Sequence, residues 1–152
     1  MSWYRKVIAD QTKLEDALDY YNAQYMDGLN DLKVENKTIW EVSKSLSGWT
    51  AFRYGQYREL CAIYDYFELE CKKILKDKTQ NYLEHYNRAL SDRMATQYAE
   101  ADQDVISYRQ LLLEIKLVLE KYEGLTKGLS ALNYQLSTLA RMREAGIEDT
   151  TI

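Results

Sequence analysis

The residues best suited to bind a ligand lie between positions 72 and 93, in the stretch KKILKDKTQNYLEHYNRALSDR. Six of the chain's 20 basic residues fall here, although the whole chain has a formal charge of -4. Tyrosines and the chain's one histidine are interleaved with them. Basic side chains attract phosphates and flat rings stack on unpaired bases, as in sequence-neutral single-strand binders. The stretch therefore predicts contacts with a nucleic-acid backbone.

These side chains are predicted to lie on one helix, where positions four apart overlay, as Lys72 and Lys76 do. The predicted DNA-contacting residues are Lys72, Lys73, Lys76, Lys78, Tyr82, Tyr86, Arg88 and Arg93, with Arg53 and Arg58 as secondary candidates. The alternative is an ordinary solvated helix face, since mixed charge on a long helix is common at protein surfaces.

Residue types that carry catalysis are sparse. His85 is the single histidine, and the sequence has no Gly-rich phosphate loop, nucleophile elbow or His-Glu-x-x-His motif. Cys61 and Cys71 fall on one predicted helix about 15 Å apart, beyond the reach of a disulfide. We therefore expect no enzymatic activity, no metal and no cofactor.

Composition bounds the class of protein. The chain has 152 residues, enough for one domain or one domain with an appendage. Neither a signal segment nor an apolar run of about 18 residues occurs, so we expect a cytoplasmic protein without a membrane partner. The absence of proline permits long helices, and the 14 tyrosines could serve a core, an oligomer interface or base stacking.

Residues 1–48 are predicted to form an acidic helical arm. Leucines and tyrosines at helical spacing indicate a helix over 10–26, with a break marked by Asp27-Gly28 and Asn30-Asp31. A second helix is predicted over 31–46, ending in a turn at Ser47-Gly48.

Residues 49–149 are predicted to form a helical core and assembly domain, followed by a tail at 150–152. A long helix is expected from about residue 50 to 87, and Ser91 is a suitable N-cap for a short helix that ends near Ala101.

The last helix carries the strongest periodic signal. Its apolar residues are separated alternately by three and four positions: Tyr108, Leu111, Ile115, Val118, Tyr122, Leu125, Leu129, Leu132, Leu136 and Leu139. They could pack on the 50–87 helix of the same chain, or the final five leucines could join copies of the chain, and both could hold. The predicted fold is all-α, a helical hairpin or small bundle with a C-terminal heptad helix, in an oligomer.

Three segments resemble a known family: YLEHYNRALSDR (82–93), DQDVI (102–106) and EGLTKGLSALNYQLSTLARMREAGIED (123–149). They are similar to the UvsY-type recombination mediators of T-even-like phages. The resemblance implies a hexamer- or heptamer-like ring that binds single-stranded DNA in the host cytoplasm. It also implies two protein partners, the phage single-strand-binding protein, which is destabilised on DNA, and a RecA-like recombinase, which is loaded.

The family's DNA-contacting motif is matched only in part. Its apolar-acidic-aromatic-Tyr run corresponds to residues 83–86, but its two basic positions fall on Gln80 and Tyr82. Positive charge lies upstream at Lys76 and Lys78 instead, or downstream at Arg88. The alternative function is a coiled-coil structural or assembly protein with no nucleic-acid role.

Overall fold

The computed structural model describes residues 1–146, which are 86% helical and contain no strand. The helices are α1 (Trp3–Ala9), α2 (Leu14–Asp31), α3 (Ile39–His85), α4 (Asp92–Glu100) and α5 (Gln103–Glu144), with a 3-10 turn at Gln11–Lys13. The prediction of an all-α protein is confirmed. The predicted tail at 150–152 lies outside the described residues.

Polar caps fix where two of the helices begin. Ser91 caps α4 as predicted, because its hydroxyl accepts a hydrogen bond from the Met94 amide at 3.3 Å. α3 begins with a capping box that the sequence analysis missed. The Glu41 amide donates to the Thr38 hydroxyl at 3.2 Å, and the Thr38 amide donates to the Glu41 carboxylate at 2.9 Å.

Of the breaks predicted in the N-terminal arm, the one at Asn30-Asp31 coincides with the end of α2, whereas those at Asp27-Gly28 and Ser47-Gly48 are wrong. α2 continues through Gly28, where an added Cβ would lie 2.6 Å from Cδ2 of Leu125, so this glycine permits close packing. α3 continues through Gly48, and the predicted boundary at residue 48 lies inside that helix. A glycine within a helix costs about 1 kcal/mol, less than burial of the neighbouring Leu46 side chain contributes.

One compact unit comprises Met1–Leu14 and Glu59–Val118. Its fully buried core residues are Val7, Leu60, Ile63, Phe67, Ala95, Ala99, Val105 and Ile115. The N-terminus is joined to this unit through the side chain of Gln11. Its amide nitrogen donates to the Tyr66 hydroxyl at 3.0 Å, and its amide oxygen accepts from the Tyr108 hydroxyl at 2.7 Å. The unit thus packs α1, α4 and parts of α3 and α5 around one core.

The second compact unit comprises Glu15–Arg58 and the chain from Leu119 onward. Here α2 packs on α5 through Tyr21 and Tyr122, whose rings meet edge to face with centroids 5.9 Å apart. The Tyr122 hydroxyl donates to the Tyr21 carbonyl at 2.8 Å. Burial raises the pKa of Tyr122 well above its ordinary value, so this phenol stays neutral and able to donate.

Candidate nucleic-acid interface

Three of the predicted lysines lie exposed on the last third of α3, in the first unit. Lys73 is held by Glu70 at 2.9 Å, whereas the Lys72 amine lies 3.9 Å from Glu68. Within the described part of the chain, Lys76 forms no ion pair. Among these three lysines, Lys72 and Lys76 are therefore the freest to meet a phosphate.

Lys78 is placed differently from its neighbours. Its amine lies 3.0 Å from a carboxylate oxygen of Asp104 and 3.7 Å from Asp102, at the start of α5. The hydrogen bond to Asp104 raises the pKa of Lys78. These contacts join α3 to α5, and a phosphate could bind Lys78 only by displacing both carboxylates. Lys78 thus positions α3 against α5, and its DNA contact stays a prediction.

A cluster of three tyrosines lies where α3 ends and α4 returns. The Tyr98 ring stacks on Tyr82 with an interplanar angle of 30° and a centroid distance of 5.7 Å. It also stacks on Tyr86, with an interplanar angle of 29° and a centroid distance of 5.4 Å. A hydrogen bond with Tyr86 raises the pKa of Tyr98, and the charge of Arg88 acts in the opposite direction. Tyr86 and Tyr98 remain about two-fifths exposed, which leaves ring surface for a base.

Tyr98 was missed by the sequence analysis because it follows Tyr82 by 16 positions on another helix. The sequence does carry a local indication of how α4 packs, because Ala95 and Ala99 are small residues spaced four apart on this helix. Both are fully buried, which identifies the face that α4 packs inward. Arg93 lies exposed in the first turn of the same helix, and Arg88 lies exposed in the connection before it.

The secondary candidates do not belong to this unit. Arg58 lies exposed in the second unit, whereas Arg53 is 6% exposed, so its predicted DNA contact would require Arg53 to leave its buried partners. The Arg53 guanidinium donates to Asp31 at 2.9 Å and lies 3.1 Å from oxygens of Gln24 and Gln56. These partners compensate the buried charge and join α2 to α3, so removal of one of them should be strongly destabilising.

The leucines predicted for oligomerisation are packed within a single copy of the chain. Leu125, Leu129, Leu132 and Leu136 are buried, and Leu139 is partly buried. They face the second unit's own core, in line with the hairpin alternative of the sequence analysis. Any surface that joins copies of the chain must therefore use other residues of α5 as well.

Two further properties of residues 1–146 bear on function. No group of three or more His, Cys, Asp or Glu side chains is arranged to hold a metal ion. None of the described helices combines the length and the apolar character needed to span a membrane.

Comparison with protein-family models, curated proteins and solved structures finds no match.

Proposed function

We propose that this protein binds single-stranded DNA through the end of α3 and the start of α4, and serves as a recombination mediator. The observation that supports this most strongly is one juxtaposition. Lysines without short ion pairs and a half-exposed tyrosine cluster occupy the same part of one unit. Cations can hold phosphates and rings can stack on unpaired bases, and neither contact requires a particular sequence.

The mediator role rests on the resemblance of residues 82–93, 102–106 and 123–149 to UvsY-type proteins. In this role the protein assembles as a ring, a hexamer or heptamer, and helps a RecA-like recombinase displace the single-strand-binding protein. Assembly presents the lysines and tyrosines several times to one strand, so weak contacts add up to strong binding. No cofactor is needed, because the chemistry is exchange of non-covalent contacts.

For assembly, the outer face of the second half of α5 is the best-suited surface. Residues 128–140 include no charged side chain, in a protein in which 29% of residues are charged. Tyr134 in this segment is 75% exposed. Depletion of charge and an exposed aromatic ring are typical of the centre of a protein interface.

Two substitutions separate assembly from folding. Tyr134→Glu should dissociate the oligomer in sedimentation while the helical circular dichroism signal persists. Leu129→Asp should unfold the second unit instead, because this leucine is fully buried and a buried unpaired charge is strongly destabilising. A Tyr134→Glu protein that assembles like wild type would exclude this face.

DNA binding is tested by fluorescence anisotropy of a labelled single strand, with a duplex control, at about 50 and about 200 mM salt. We expect tight binding that favours the single strand and weakens as salt rises. An assembled, folded protein that binds no strand at low salt would leave the second candidate, a structural helical assembly protein. The uncharged face of α5 favours that candidate if DNA binding fails.

A further inference from the structure

A shallow groove runs between α3 and α4 in the first unit, beside the exposed lysines. Its volume is about 420 Å³, within the range of small-ligand sites. Leu75, Thr79 and Leu83 of α3 and Thr96 of α4 line it, and Lys72 and Lys76 lie along the same groove. Leu83 is 40% exposed, so part of this apolar surface is open to solvent in the isolated chain.

Apart from the two lysines, the polar side chains that line the groove are Thr79, Gln80 and Thr96. The Gln80 side-chain amide donates to the Glu84 carboxylate at 2.8 Å. The Thr79 hydroxyl donates to the Leu75 carbonyl at 2.8 Å, and the Thr96 hydroxyl donates to the Asp92 carbonyl at 2.9 Å. Both hydroxyl hydrogens are thus used within their own helices. The groove therefore offers an apolar surface that can bind a flat or apolar group without specific hydrogen bonds.

The charge beside this apolar surface is positive. Lys76 makes no ion pair within residues 1–146. Lys72 has only a long contact, with its amine 3.9 Å from the Glu68 carboxylate. An apolar surface with two available cations complements a ligand that joins a flat ring to anionic groups. A nucleotide within a strand has this composition, with the base as the ring and its flanking phosphates as the anions.

We infer that this groove holds one unstacked nucleobase of a single DNA strand while Lys72 and Lys76 bind the neighbouring phosphates. The inference rests on the proposed single-strand binding and specifies its subsites. The strand then continues to the tyrosine cluster, because Lys72 and Tyr82 are about 15 Å apart along α3. That distance can be spanned by a few nucleotides of an extended strand.

This arrangement explains a preference for single strands. In a duplex each base is paired and stacked, so it must leave the helix before it can enter a groove on a protein. A single strand has already lost the pairing. Lysine contacts alone would not discriminate in this way, since both forms of DNA present phosphates.

The test uses hexanucleotides in which one base at a time is replaced by an abasic site, so that charge is unchanged. Thr96→Phe fills the groove from α4. Ser107→Phe is the matched control, because Ser107 is an exposed helical residue outside the groove whose hydroxyl donates to the Gln103 carbonyl at 2.8 Å. Affinity is measured by competition against a labelled strand, with each variant's helicity checked.

We expect loss of a base to weaken binding by about tenfold at the position that enters the groove and also at positions that stack on the tyrosine cluster, in wild type and in Ser107→Phe. In Thr96→Phe one of these positions should become insensitive to loss of its base, because the groove is already filled. Equal affinity of all abasic strands, with Thr96→Phe binding like wild type, would overturn the inference and leave the groove to another occupant such as an acidic peptide. Failure of wild type to bind any strand would instead refute the proposed function itself.

Discussion

The lysines of α3 differ in their partners, and this difference predicts different effects of their removal. In the double variant Lys72→Ala, Lys76→Ala, two cations without short ion pairs are lost. Stability should change little, because exposed ion pairs contribute about 0–1 kcal/mol. Lys78→Ala should lower stability instead, since it removes the contacts of α3 with Asp102 and Asp104.

The expected size of the DNA effect follows from counterion release. Each phosphate contact on a single strand contributes about 0.7 to the slope of log affinity against log salt, so loss of two contacts removes about 1.4. Over a fourfold rise in salt, from about 50 to about 200 mM, wild type should therefore lose roughly sevenfold more affinity than the double variant.

The assay is an anisotropy titration at both salt concentrations, with urea denaturation of each protein. Lys116→Ala, Lys127→Ala is the charge-matched control, since it removes two exposed lysines of α5. We expect wild-type slopes for this control and for Lys78→Ala. An unchanged slope in the folded Lys72→Ala, Lys76→Ala protein, or an equal loss in Lys78→Ala, would refute the assignment of these cations.

Other predictions concern the second unit. Gly28→Ala should lower the urea midpoint, because overpacking against Leu125 costs about 1–3 kcal/mol and outweighs the gain of about 1 kcal/mol in helix propensity. Gly55→Ala, with open space around it, should raise the midpoint. Asp31→Ala should cost about 3 kcal/mol by leaving Arg53 buried without its carboxylate, and single-strand affinity should not change. A gain of affinity in the folded variant, in which Arg53 is released from Asp31, would instead support Arg53 as a DNA contact.

Local signals in the sequence were sufficient for much of the secondary structure. The periodic leucines predicted the long last helix, and Ser91 predicted the start of α4. Glycine was misread at Gly28 and at Gly48, and close packing explains only the first, since an added Cβ at Gly48 would meet nothing within 4 Å. Gly28 lies against Leu125, nearly a hundred residues away, and no local pattern reports that contact.

The candidate site was predictable in its lysines and only partly in its rings. Charge and spacing identified Lys72 and Lys76, which are exposed on α3. Burial of Arg53 and pairing of Lys78 depend on carboxylates of other helices, Asp31 and Asp104. The sequence alone could therefore not separate Arg53 and Lys78 from Lys72 and Lys76 as candidate DNA contacts. Tyr98 joins the cluster only through the return of α4.

The most direct measurement is photo-cross-linking of a single strand that carries iodouracil, followed by identification of the modified residues. The reactive base must lie against the side chain that it modifies, so the cross-links locate the strand on the protein. We expect them at Tyr82, Tyr86 or Tyr98, with loss of the signal when unlabelled single strand competes. Cross-links confined to residues outside α3 and α4, or none from a protein that is folded and assembled, would contradict binding of single-stranded DNA at this surface.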